Sequence, residues 1–138
     1  MIKLLIVDDE LDFLDTITKR MELRGFEVSK APDGYKALDL LEKSDFDVVV
    51  LDLKMPGIDG LEVLEKIKKN KKNTEIIIYS AHGSEEVASK TLELGAFSYI
   101  TKPIEIDKLI SVINLAVKAS KKNQKSGSIN DMFGESDI

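Results

Sequence analysis

The stretch "DVVVLDLKMPG", Asp47 to Gly57, runs four apolar residues into an acid, Asp52, and stops at Pro56-Gly57. A short β-branched run without polar alternation is the pattern of a parallel strand buried on both faces. An ionised carboxylate at its end is expensive to bury without a partner, so Asp52 is either turned to water or held for a purpose. The rest of the chain decides which.

Four more runs of this kind surround it: Lys3 to Val7, Phe26 to Lys30, Glu75 to Tyr79 and Phe97 to Ile100. Between and after them the apolar residues take helical spacing. Leu11, Leu14, Thr18 and Met21 form one stripe, Ala37 and Leu41 a second, and Val63, Leu64 and Ile67 a third. Val87, Ala88, Thr91 and Leu92 make a fourth, and Leu109, Val112, Ile113, Ala116 and Val117 a fifth. Strand and helix alternate five times, with Asp59 and Ser84 placed to cap helices. That alternation predicts an α/β domain with right-handed crossovers, an open parallel sheet and helices on both faces. From about Ala119 the sequence "SKKNQKSGSINDMFGESDI" is polar, and 121–138 reads as a flexible tail or linker after a domain of residues 1–120.

One domain is what 138 residues and 43% hydrophobic content support. The balance of 20 basic and 25 acidic residues leaves a net charge of -5, which offers no basic footprint for direct nucleic-acid binding by this domain. There is no cysteine and one histidine, so thiolate metal sites and disulfides are excluded. The apolar stretch before Asp8 is too short for a signal peptide or a spanning helix, and the expectation is a cytoplasmic protein without membrane contact.

Asp8 and Asp9 follow the first strand, Asp52 the third, Ser80 ends the fourth and Lys102 follows the fifth. In an open parallel sheet the carboxyl ends of the strands share one edge, where ligands bind, so these residues are predicted neighbours. Three carboxylates in one crevice repel unless something positive compensates. Oxygen donors without Cys or clustered His favour Mg²⁺, or Mn²⁺, over zinc, and Lys102 adds a second positive charge.

The motifs "IVDDE", "VVLDLKMPGIDG", "YSAHG" and "GAFSYITKP", in this order over residues 1 to 120, resemble the receiver domain of two-component response regulators. The resemblance implies a flavodoxin-like (βα)5 fold with strand order 2-1-3-4-5. It implies that Asp52 is the phosphoacceptor, taking a phosphoryl group from the phosphohistidine of a sensor histidine kinase or phosphotransfer protein. Asp9, Asp52 and the backbone carbonyl of Lys54 would bind Mg²⁺, with Asp8 assisting through a water. Lys102, before a cis Pro103, would grip a phosphoryl oxygen. The Ser80 hydroxyl would donate to the modified site and Tyr99 would swing inward with it, switching the surface of the fourth helix, fifth strand and fifth helix. That surface would engage an output domain or protein, or a second copy of the chain. Lys54 and His82 would line the mouth and tune hydrolysis. Such a domain catalyses only its own phosphotransfer and autodephosphorylation and is otherwise no enzyme.

Two alternatives share parts of this chemistry. A phosphatase of the haloacid dehalogenase type also joins an Asp nucleophile to Mg²⁺, but calls for Asp-x-Asp after the first strand, where this chain has adjacent Asp8 and Asp9. A receiver-like docking module that works without phosphorylation has no need of the full residue set. For output, "DMFGES" at 131–136 resembles the entry to the AAA+ ATPase domain of enhancer-binding transcription activators, which follows their receiver and linker.

Overall fold

Strands and helices alternate through the chain in the computed structural model, which describes residues 1–81 and 83–133, with side chains described as far as residue 121. The order is β1 (Lys3–Val7), α1 (Leu11–Leu23), β2 (Glu27–Ala31), α2 (Gly34–Lys43), β3 (Val48–Leu51) and α3 (Gly60–Asn70), then β4 (Glu75–Ser80), α4 (Glu85–Glu93), β5 (Ser98–Thr101) and α5 (Ile106–Phe133). All pairings are parallel, in the order β2-β1-β3-β4-β5. This is the flavodoxin-like arrangement expected from the motifs.

Strand alternation divides the core into two layers. Leu5, Val7, Val49, Leu51, Ile76 and Ile78 face α2 and α3 through Ala37, Leu41, Val63, Leu64 and Ile67. Leu4, Ile6, Val48, Val50, Ile77 and Tyr79 face α1 and α5 through Leu14, Ile17, Met21, Leu109, Ile113 and Ala116. With a helix layer on each side, the central strands have no solvent face to spend on polar residues. Each fully buried Leu or Ile contributes about 1.5–3 kcal/mol, which outweighs the weak strand propensities.

Several expectations are corrected. β2 and β5 are edge strands and only partly buried, because each has a neighbour on one side alone. Leu11 is 60% exposed, and the buried stripe of α1 is Leu14, Ile17, Thr18 and Met21. In α4 only Thr91 is buried and Leu92 is 49% exposed, so this helix rests lightly on the sheet. Near the end of α3 the Lys68 ammonium donates to the carbonyls of Lys72 and Thr74 at 3.1 and 3.0 Å and pairs with Glu75. Asp59 and Ser84 do cap their helices, accepting from the amides of Leu61 and Val87.

The backbone stays helical to Phe133, past the boundary expected near residue 120. No proline interrupts the polar stretch, and Lys and Gln are good helix formers. Ser120 ties α5 to the body by donating to the carbonyl of Asn73 at 2.7 Å. His82 and residues 134–138, which include the end of "DMFGES", lie outside the described residues. Among the described residues no helix is long and apolar enough to cross a membrane.

Candidate functional site at the carboxyl edge of the sheet

The sheet places its site residues by extending its own ladder. The amide of Asp8 donates to the Ala31 carbonyl at 3.1 Å, that of Asp52 to Val7 at 3.1 Å, and that of Lys102 to Ser80 at 3.0 Å. Each of these residues leaves its strand with the backbone still held, so its side chain starts from a rigid point.

The acids converge as expected: one carboxylate oxygen from each of Asp8, Asp9 and Asp52 lies within 4.8 Å of the others. Asp8 and Asp52 are 2% and 6% exposed, while Asp9 is open to solvent. Asp8 accepts from the Glu10 amide at 2.8 Å and Asp52 from the Lys54 amide at 3.2 Å. Lys102 reaches in from the loop after β5, its Nζ 2.5 Å from Asp8 Oδ2, 3.4 Å from Asp52 Oδ2 and 3.8 Å from Glu10 Oε1. The Lys102-Pro103 peptide bond is cis.

Burial pushes the Asp8 carboxyl above its ordinary value, and the nearby Asp52 charge adds to this; the Lys102 and Glu10 hydrogen bonds oppose it without cancelling it. For Lys102, burial acts to lower the pKa. The hydrogen bond it donates to Asp8 and the charges of Asp52 and Asp8 outweigh that and leave it raised. The ammonium therefore stays charged. Three clustered oxygen donors, the only metal-ligating group of this kind among the described residues, suit a hard divalent cation such as Mg²⁺.

Ser80 ends β4 fully buried, beside Thr101 in the ladder. Tyr99, half-buried on β5, pairs with Ile78, and its phenol is held above the ordinary value by burial and then by the Asp52 charge. Its ring rests on the loop before α4, where a Cβ on Gly83 would overlap the Tyr99 Oη. Gly83 also has a φ of +153°, a conformation that side chains rarely adopt. Gly83→Ala will therefore displace the Tyr99 ring, read as a change in its ring proton shifts. Unchanged shifts would mean that the two residues do not touch.

Three neighbours escaped the sequence reading. Glu10 reaches Lys102 from the solvent side of the site. The rings of Phe13 and Tyr79 have their centroids 4.5 and 5.4 Å from the Lys102 ammonium. Phe13 stands outside the stripe read for the first helix, and Tyr79 reads as the end of a buried strand. The available signal was position: Phe13 follows Asp9 by one helical turn and Tyr79 directly precedes Ser80.

Comparison with known proteins agrees with this fold. The family model described as "Response regulator receiver domain" matches residues 4–114. Sporulation initiation phosphotransferase F of Bacillus subtilis is 36% identical over 107 residues, covering 78% of this chain and 86% of its own. The crystal structure of NtrX from Brucella abortus in complex with ADP superposes with a TM-score of 0.87 at 30% identity, covering 98% of this chain but only 30% of NtrX. Response regulator protein TrrA from Thermotoga maritima, in complex with Mg²⁺-BeF, gives a TM-score of 0.76 at 32% identity, covering 84% of this chain and 99% of its own.

Proposed function

The chain belongs to the response regulator receiver domain family of two-component signalling, and from that premise we propose that Asp52 is its phosphoacceptor. The observation that carries this is the meeting of Asp52 with Asp8, Asp9 and Lys102 at one sheet edge. A carboxylate oxygen of Asp52 attacks the phosphorus of a phosphohistidine. The N–P bond breaks, an acyl phosphate forms, and the imidazole leaves as a nitrogen base that takes up a proton from solvent. Such transfers ask the protein mainly for positioning and charge neutralisation.

Asp9, Asp52 and the Lys54 carbonyl would hold Mg²⁺, or Mn²⁺, with Asp8 in support. When bound, the cation neutralises charge on the phosphoryl oxygens. TrrA, solved with Mg²⁺-BeF, supports the same cofactor here. Lys102 supplies N–H donors to a phosphoryl oxygen, and the Ser80 hydroxyl supplies another. Tyr99, which already touches the loop after Ser80, follows that loop. The light anchoring of α4 supports a movable α4-β5-α5 surface, since elements with few buried contacts shift most easily.

The donor is a sensor histidine kinase or phosphotransfer protein, acting in the cytoplasm. Residues 1–120 form the receiver and 121–138 the connection to an output. The 30% coverage of NtrX supports an output on the same chain, reached through α4-β5-α5, with a second copy as the other candidate occupant of that surface. The reaction serves signalling, and turnover is limited to the domain's own phosphotransfer and autodephosphorylation.

Intact mass after incubation with acetyl phosphate tests the proposal. One added phosphoryl group is expected, dependent on Mg²⁺ and absent from Asp52→Asn. No addition, or addition that survives Asp52→Asn, would overturn it.

A further inference from the structure

Lys102 hangs from the loop between β5 and α5 on a long flexible stem, and fixing such a side chain costs rotamer entropy. Its charged end is nonetheless well confined, with the side chain 12% exposed. Carboxylates account for only part of that confinement. The ammonium also lies 4.5 Å from the Phe13 ring centroid and 5.4 Å from that of Tyr79. The two rings meet edge to face, with centroids 5.9 Å apart and an interplanar angle of 77°. Tyr79 is buried, and its Oη accepts from the Ile104 amide at 3.3 Å, which ties the ring to the loop that carries Lys102. In a chain with eight aromatic residues, two of them converge on the lysine whose ammonium pairs with the site's acids.

Resting on the phosphoacceptor reading above, we propose that Phe13 and Tyr79 are positioning residues that hold the Lys102 ammonium at the site when its carboxylate partners are taken. Asp52, and Asp8 through a water, would be shared between Lys102 and a divalent cation held by the acids. Carboxylates cannot serve both fully. Aromatic faces attract an ammonium through their quadrupole, without a carboxylate accepting from its N–H donors. The rings keep their hold after the carboxylates are engaged, and leave the N–H donors free for a phosphoryl oxygen. Other charged groups near Lys102 are Asp8, Asp52 and Glu10; each carries a formal charge a cation can draw away.

Phe13 is half-buried, so its replacement leaves the core largely intact. Two measurements on Phe13→Leu, the second made with and without Lys102→Met, decide the proposal. In metal-free protein the ε-methylene protons of Lys102 are expected upfield of the usual lysine position, through the ring currents, and Phe13→Leu should move them back. The rate of Mg²⁺-dependent phosphoryl uptake from acetyl phosphate should fall about three- to tenfold in Phe13→Leu, be restored by Phe13→Trp, and show no further loss when Phe13→Leu is added to Lys102→Met. Equal losses in both Lys102 backgrounds, or unshifted methylene protons, would overturn the proposal alone. No uptake by the unsubstituted protein would instead overturn the phosphoacceptor reading on which it rests.

Discussion

Asp8→Asn will raise the melting temperature of the metal-free protein at neutral pH and, in the same molecule, weaken Mg²⁺ binding about 10- to 100-fold. The first effect follows from burial. Asp8 is 2% exposed, and its folded-state pKa lies above the ordinary 3.8. Between those two values the folded chain holds a proton that the unfolded chain has lost, so stability falls as pH rises through that window. Above the folded-state value the penalty is complete, and a neutral isostere removes it. Deleting one member of a buried ion pair usually costs about 3–5 kcal/mol because it orphans the other. Here Lys102 is not orphaned, since Asp52 lies 3.4 Å away and Glu10 3.8 Å away.

Thermal melts from pH 7 down to the ordinary carboxyl range will show the gain shrinking as the pH falls through the folded-state value. For a domain of this size 1 kcal/mol is about 3–6 °C, well within reach of a melt. The second effect is read from the same curves. A ligand at 100 times its Kd adds about 2.7 kcal/mol, and the weaker affinity of Asp8→Asn removes half of that or more. A lower metal-free melting temperature at pH 7 would show that the Lys102 pair outweighs the cost of burying Asp8. An unchanged Mg²⁺ response would remove Asp8 from the metal site.

The parts of this architecture that can be read from residues alone are those set by short-range pattern. Val48 to Leu51 announces a two-sided strand because four consecutive buried positions leave no polar face. Once five such strands are parallel, chain polarity alone sends Asp8, Asp52, Ser80 and Lys102 to one edge. Contacts made only by folding are invisible to that logic. Leu11 has the spacing of a core residue, yet it sits on the first turn of α1, beyond the reach of the sheet. Phe13 and Tyr79 look like filler because their value lies in meeting over one ammonium. The helical continuation of α5 is carried by helix-forming residues but lacks the apolar stripe by which helices are recognised. Glycine is the plainest case, since a residue with no side chain signals either freedom of φ or closeness of approach, and the letter is the same.

Gly57 and Gly60 in the turn after β3 separate those two meanings, and Gly60→Ala is expected to cost about 2–3 kcal/mol. Gly57 has a φ of +87° and serves conformation. Gly60 has no such φ; it is buried at the start of α3, where a Cβ would lie 2.6 Å from Leu53 Cα and 2.7 Å from its carbonyl oxygen. Those are backbone atoms and cannot rotate aside. Alanine would return at most about 1 kcal/mol of helix propensity, so the steric term wins. To admit the methyl, the first turn of α3 must back away from Leu53, which stands between Asp52 and Lys54. The disturbance therefore reaches the segment assigned to the metal. Gly25→Ala is the matched control: its φ is +91° but nothing lies within 4 Å, so it pays backbone strain alone, far from the acids. Both substitutions will lower the melting temperature, while Gly60→Ala alone will also weaken Mg²⁺ binding. Equal Mg²⁺ affinity in the two variants would show that the packing of α3 on Leu53 and the metal-binding segment are independent.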